Sequence, residues 1–256
     1  MTIIEVNNIS KEFLQSNKKN KINKVLNNIS FKIEDGEFVT IFGPNGCGKT
    51  TLLNIIAGIE NPTFGEILIN KQNPEFSKKG FVFQNYNESM LPWRTALGNI
   101  ELALEIQNIN NKKRKEIAQH FLNKVDLLKY KDNYFYELSG GMKQLVAICR
   151  AFAYNPEILL MDEPFSSLDY STTRKMELEL LKVWRETKKT TLFVSHDIDE
   201  AILLADKIII LSKRPAIIKE IIKIDLPRPR KLEMLSSKKF FEIRKKILRL
   251  FENEKQ

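Results

Sequence analysis

Eight residues constrain this chain more than any others: Gly43-Pro44-Asn45-Gly46-Cys47-Gly48-Lys49-Thr50. They match the spacing G-x-x-x-x-G-K-[ST] and stand between an apolar run, Glu37 to Phe42, and a stretch with helical spacing, Lys49 to Ala57, closed by Gly58. In that context the glycines let successive backbone N–H groups turn inward on an anion, and the helix N-terminus adds the positive end of its dipole. Lys49 can then reach the β- and γ-phosphates of a nucleotide, and the Thr50 hydroxyl can ligate Mg²⁺. The candidate phosphate contacts are Gly43, Asn45, Gly46, Cys47, Gly48, Lys49, Thr50 and Thr51. An ordinary glycine turn before a helix would explain the glycines but not Lys49-Thr50. Cys47 only needs to be small, and no catalytic role is assigned to it.

Around this loop the chain alternates. Strand signals fall at Ile3 to Asn7, Val25 to Ile33, Glu37 to Phe42, Glu66 to Asn70 and Gly80 to Phe83, with a polar loop, Ser16 to Asn23, between the first two. Apolar residues at three- and four-residue steps then predict helices over Ala96 to Ile109, Lys112 to Val125 and Gly141 to Tyr154. Strands return at Ile158 to Met161, Thr191 to Ser195 and Lys207 to Leu211, with helical segments Ser171 to Lys188 and Ile198 to Ala205 between them. The alternation indicates a largely parallel α/β sheet interrupted by an inserted helical subdomain. The divisions expected are 1–84 (a β-subdomain and the first part of a nucleotide-binding core), 85–155 (the helical subdomain), 156–225 (the second part of the core) and 226–256 (a basic tail).

Composition excludes several classes. At 256 residues and 43% hydrophobic, the chain can bury a large core and is not disordered. No apolar run approaches the roughly 18 residues of a membrane span, and the opening MTIIEVNNIS lacks the pattern of a secretory signal. Two distant cysteines, Cys47 and Cys149, support neither a disulfide framework nor a zinc site. The net charge of +9 is concentrated in the tail, where residues 228–256 hold ten Lys and Arg against four Glu. That distribution argues against a nucleic-acid surface on the core. Lys238 to Arg249 also has helical apolar spacing through Phe240, Phe241, Ile243, Ile247 and Leu248. This suits a helix resting on the core or a partner; a membrane-surface helix is the weaker reading.

Two further segments carry chemistry. Ile158-Leu159-Leu160-Met161 runs into Asp162-Glu163, as a buried strand would if it delivered two carboxylates to a ligand crevice. Asp162 would hold Mg²⁺ through water and Glu163 would orient or deprotonate the attacking water. Leu138-Ser139-Gly140-Gly141-Met142-Lys143-Gln144 offers a hydroxyl and bare backbone N–H groups at a helix start, a second anion site. One nucleotide in one chain has no need of two.

Here the sequence resembles the ATP-binding cassette family, whose LSGGxxQ signature it matches at every fixed position, with the other motifs in family order. The resemblance implies a P-loop NTPase (RecA-like) core with an N-terminal antiparallel β-subdomain and an inserted α-helical subdomain. It implies that Gln84 is the Q-loop glutamine, near the metal and the reaction. Ser166 to Asp169 is the D-loop, His196 the switch histidine, and Phe13 the aromatic that stacks on adenine. It also implies that Ser139, Gly140, Gly141, Gln144 and Asp169 meet the nucleotide across a dimer of two cassettes, with ATP and Mg²⁺ as cofactors. The catalytic set on this reading is Glu163, His196, Gln84 and Lys49. Leu145 departs from the family pattern, which commonly has a basic residue there.

Met90 to Thr95, Ser212 to Pro215 and Asp225 to Arg230 are similar to the importer subgroup serving nitrate, sulfonate, taurine and pyrimidine-precursor uptake. On that resemblance the partners are a second copy of the cassette, separate transmembrane permease subunits and, indirectly, a periplasmic or lipoprotein solute-binding protein. The place of action is the cytoplasmic face of the membrane, and no nucleic acid is expected. For Trp93 the plain alternative is an aromatic buried under the helical subdomain, which is compatible with lining a groove for the permease. The competing class is a soluble cassette acting on DNA or ribosomes. DNA-acting members separate the two nucleotide motifs by a long coiled coil, whereas only 113 residues separate Lys49 from Asp162.

Overall fold

The structure is a computed structural model describing residues 1–14 and 22–252. In chain order the elements are β1 (Thr2–Leu14), β2 (Ile22–Glu34), β3 (Phe38–Phe42), α1 (Lys49–Ala57), β4 (Phe64–Ile69), β5 (Lys79–Val82), α2 (Tyr86–Ser89) and α3 (Ala96–Glu105). They continue with α4 (Asn111–Lys124), α5 (Gly140–Ala153), β6 (Ile158–Asp162), α6 (Tyr170–Thr187), β7 (Thr190–Ser195), α7 (Ile198–Leu204), β8 (Lys207–Leu211), β9 (Ile218–Lys223) and α8 (Lys238–Glu252). The chain divides into two compact units, one of Met1–Ser77 with Thr190–Gln256 and one of Lys78–Lys189.

The first unit holds an antiparallel sheet in the order β2-β1-β4. β1 and β2 form a longer hairpin than the apolar spacing suggests, because the pleat is reset partway. The register shifts between Val6 and Ile9 and again between Ile9 and Lys11, and Asn8 and Asn28, one on each strand, hold φ values of 53° and 54° there. Asparagine tolerates that left-handed conformation, so the buried face survives an interruption that blurs its period of two. Of the polar loop expected at Ser16 to Asn23, the residues up to Lys21 lie outside those described, while Ile22 and Asn23 already belong to β2.

The same unit contains β3 flanked on both sides by parallel neighbours, β7 and β8, with β9 antiparallel on β8. Every residue of β3 and β7 is buried, as parallel strands covered on both faces require. β9 has no counterpart among the expected strands. Only Ile222 of it is buried, and its charged, half-exposed face is that of an edge strand without clean alternation. α8 lies on this core: Phe240 and Ile247 join Phe42, Ile202, Ile208 and Ile210 in one apolar cluster. Ion pairs from Lys239 to Asp225 (2.7 Å), from Arg244 to Asp199 (3.1 Å) and between Lys246 and Glu220 hold its flanks. The tail helix is thus a core element of this unit.

In the second unit β5 and β6 pair in parallel, and α3, α4, α5 and α6 pack beside them. Side chains cap the helices at their starts. Thr95 accepts from Gly98 N, Asn110 from Lys113 N and Asp169 from Thr172 N, at 3.0–3.1 Å. Within α6, Arg174 Nη1 donates to both carboxylate oxygens of Glu177, at 2.7 and 2.9 Å, in a buried ion pair.

Candidate functional site

The candidate residues fall on both units. In the first unit the loop from Gly43 delivers the chain into α1, whose limits, Lys49 to Ala57 with Gly58 as its left-handed cap, are those the spacing predicts. Gly46 has φ 72°, and a Cβ there would meet nothing within 4 Å. The loop therefore turns around open space at Gly46 in a conformation that favours glycine. Gly48, at φ 120°, redirects the backbone into the helix. Lys49 is buried, and its Nζ donates to the carbonyl oxygens of Gly43 (3.0 Å) and Pro44 (3.2 Å). Its charge is thereby held against the loop's own backbone. Asn45 and Thr50 are exposed and Thr51 half-buried, whereas Cys47 points inward and burial pushes its thiol pKa up. A loop of N–H donors around open space, closed by a lysine and an exposed threonine hydroxyl, fits a nucleotide's phosphates and their magnesium.

Phe13 and His196 belong to this unit too. The Phe13 ring is 37% exposed and carries the Lys11 ammonium at 4.8 Å from its centroid. Lys11 is in turn held by Glu60 (2.7 Å) and the Asn61 carbonyl (2.7 Å). His196 is exposed between β7 and α7, next to Asp197, whose carboxylate caps α7 by accepting from Asp199 N (2.7 Å) and Glu200 N (3.2 Å).

The second unit brings three sequence-distant motifs together. Gln84 Nε2 donates to Ser166 Oγ at 3.4 Å, joining the Q-loop to the D-loop. Tyr86 Oη stands 3.2 Å from where a Cβ of Gly140 would lie, with Leu168 Cδ2 at 3.5 Å on the same spot. Gly141 faces Thr172, the residue whose N–H Asp169 caps, and so lets α5 approach α6 closely. Ser139 is the exposed cap of α5, accepting from Met142 N at 3.4 Å. Hydrogen bonds from Thr172 and Ser171 hold the Asp169 carboxyl well below the usual carboxylate range. Asp162 ends β6 buried, and Glu163 follows it with φ 40°, a left-handed backbone on a non-glycine residue.

Gln144 is enclosed in α5, and neither amide atom has a hydrogen-bond partner within the chain. Trp93 is 70% exposed, which sets aside the plainer alternative of a buried aromatic. Its loop is anchored from below by Asn99, which accepts from Leu91 N (2.9 Å) and donates to the carbonyls of Leu91, Arg94 and Thr95 (3.1–3.2 Å). Sequence reading also missed Arg150, which donates to Ser89 O at 2.6 Å and Ser89 Oγ at 3.1 Å and so ties α2 to α5. An arginine on the apolar stretch of α5 was the available signal.

Residues 26–166 match the family described as ABC transporter. The fold agrees. A dimeric post-hydrolysis state of an ATP-binding cassette bound to ADP and Pi superposes with a TM-score of 0.75 at 33% identity, covering 88% of this chain and all of that one. The chain belongs to the ABC transporter family and is an ATP-binding, ATP-hydrolysing cassette with the P-loop NTPase fold. Among particular proteins, an uncharacterized ABC transporter ATP-binding protein of Methanocaldococcus jannaschii is 48% identical over 90% of this chain and 85% of its own. The aliphatic sulfonates import ATP-binding protein SsuB of Bacillus cereus is 42% identical over 97% and 96%. The nitrate import ATP-binding protein NrtC of Synechococcus elongatus is 38% identical over 90% of this chain and 36% of its own length.

Proposed function

We propose that this chain is the ATPase subunit of a membrane importer for a small oxyanionic solute of the sulfonate or nitrate type, working as a dimer of cassettes on a separate permease. The observation that carries the reading is the end-to-end likeness to a sulfonate import cassette. Among the described residues no helix is long and apolar enough to cross a membrane, in keeping with a pore on other polypeptides. The exposed Trp93, on a loop that Asn99 holds rigid, suits contact with that permease. The place of action is then the cytoplasmic face of the membrane, with a solute-binding protein acting indirectly. A pyrimidine precursor is the alternative cargo.

The chemistry follows from the residues. Magnesium, bound with ATP, would neutralise phosphate charge. Thr50, Asp162 and Gln84 are the residues that would offer it oxygen, directly or through water. Lys49 and the backbone N–H groups from Gly43 to Thr51 hold the phosphates. Phe13, with its ring partly exposed, would stack on the base. Glu163 orients the attacking water, and its left-handed backbone is the kind of local strain that accompanies a functional position. His196 contacts the transferring phosphoryl group, and Ser139, Gly140, Gly141, Gln144 and Asp169 complete the partner cassette's site.

The test is to tag the chain in its own host, solubilise the membranes gently and identify what co-purifies. A polytopic permease in equal stoichiometry supports the importer. Ribosomes or DNA in its place would overturn the importer and leave the ATPase standing.

A further inference from the structure

Around His196 the backbone is fastened by two side chains that none of the motifs names. Ser195, directly before the histidine and the last residue of β7, is buried, and its Oγ accepts from Asp197 N at 2.9 Å. The same hydroxyl donates to the carboxylate of Glu200, which is buried in α7. A second acceptor, the Asp197 carbonyl, lies 3.1 Å from Ser195 Oγ, but a hydroxyl has one proton, and the carboxylate is the stronger and closer acceptor. With that proton committed to Glu200, the oxygen lone pairs are turned toward the Asp197 N–H. Asp197 closes the loop by capping α7 at Asp199 N and Glu200 N. The peptide unit after His196 is thus tied to the strand end and, through Asp197, to the helix start, while the imidazole itself stays exposed.

We propose that Ser195 and Glu200 form a clamp that positions His196 for hydrolysis. They are positioning residues that touch neither nucleotide nor water. An exposed side chain on an unfastened turn would sample many directions; a turn pinned at both ends leaves it little more than its own χ rotations. Misplacing a catalytic group by about 1 Å costs on the order of a hundred-fold in rate, with less effect on ground-state binding. The clamp therefore acts on kcat and not on KM. Its composition is specific: Glu200 must present an acceptor to the hydroxyl, and Ser195 must be both donor and acceptor. Alanine at either position destroys the relay, whereas Glu200→Gln keeps an oxygen acceptor and Ser195→Thr keeps the hydroxyl.

The inference rests on the proposed role of His196, and the experiment separates the two. Steady-state ATPase kinetics of the full chain are measured for His196→Ala, Ser195→Ala, Glu200→Ala, Ser195→Thr, Glu200→Gln and the double variant His196→Ala/Glu200→Ala, with melting temperatures alongside. The expected result is a fall in kcat of about ten- to a hundred-fold for Ser195→Ala and Glu200→Ala, with KM for ATP within about two-fold of the parent. Ser195→Thr and Glu200→Gln recover most of the loss. The double variant is no slower than His196→Ala alone, because a clamp has nothing to position once the imidazole is gone. Wild-type kcat in Ser195→Ala and Glu200→Ala, or effects that multiply fully with His196→Ala, overturns the clamp while His196 keeps its role. Wild-type kcat in His196→Ala overturns the role of His196 itself. If Glu200→Ala fails to fold, Ser195→Ala, which removes a single oxygen, decides the matter with Glu200→Gln.

Discussion

Gly48 backs directly onto Val25: a Cβ at Gly48 would stand 2.8 Å from Val25 Cγ1 and 2.9 Å from Leu26 Cδ2. With φ at 120°, the position is closed to other residues by its own backbone as well as by its neighbours. Gly48→Ala is expected to cost about 1–3 kcal/mol of stability and to displace the loop that binds phosphate. Thermal melting and an ATP titration check both, and a variant with native melting and native affinity would contradict the geometry.

Replacing Glu163 with Gln keeps its shape and removes its basicity. ATP hydrolysis should then fall by two orders of magnitude or more, about the contribution of a general base, while ATP-bound dimers accumulate on size exclusion. Lys49→Ala should behave oppositely, losing ATP affinity in a titration. Normal turnover in the first variant would remove Glu163 from its role, and unchanged binding in the second would remove Lys49.

Trp93 and Asn99 should separate contact from support. Trp93 is largely exposed, so Trp93→Ala should change stability by no more than about 0.5 kcal/mol while weakening recovery of the permease in pull-downs. Asn99→Ala abandons three carbonyl oxygens and one N–H in a buried setting and should destabilise the chain by about 3 kcal/mol. Equal recovery of permease with Trp93→Ala would remove the tryptophan from that surface.

The tail helix makes a sharp internal comparison. Ile247 is fully buried in the cluster around Phe42, so Ile247→Ala should cost about 2–5 kcal/mol in denaturant unfolding. Phe241, six residues earlier and exposed, should tolerate serine with a change of about 0.5 kcal/mol or less. Equal effects at the two positions would mean that α8 does not sit on this core.

Cys149 is enclosed, and burial raises its thiol pKa far above the ordinary value. A raised folded-state pKa contributes stability that is complete below the unfolded thiol value, about 8.5, and is lost as pH climbs from there toward the folded one. Melting temperature should therefore fall between about pH 8.5 and 10, less steeply in Cys149→Ala. Native protein at pH 7 should leave both cysteines unreacted with an alkylating reagent until denaturant is added, as measured by intact mass.

Local chemistry was legible before any coordinates. The loop from Gly43, the extent of α1, the acidic end of β6 and the cap at Ser139 each depend on residues a few positions apart, and short-range backbone geometry decides them. What depends on distant segments was not legible. β3 lies between β7 and β8, and Phe38 N is satisfied by Asp206 Oδ2, 168 residues away. The apolar run of β3 announces burial on both faces but does not say by which strands. Trp93 stands exposed for the same reason: hydrophobicity predicts the average fate of a side chain, while the neighbours that cover or abandon it come from elsewhere in the chain. The hydrogen bond from Ser195 to Glu200 exists only because a strand end and a helix start meet across a turn. The residue order along the chain thus carried the ATP chemistry, and tertiary packing decided which side chains stand free to perform it.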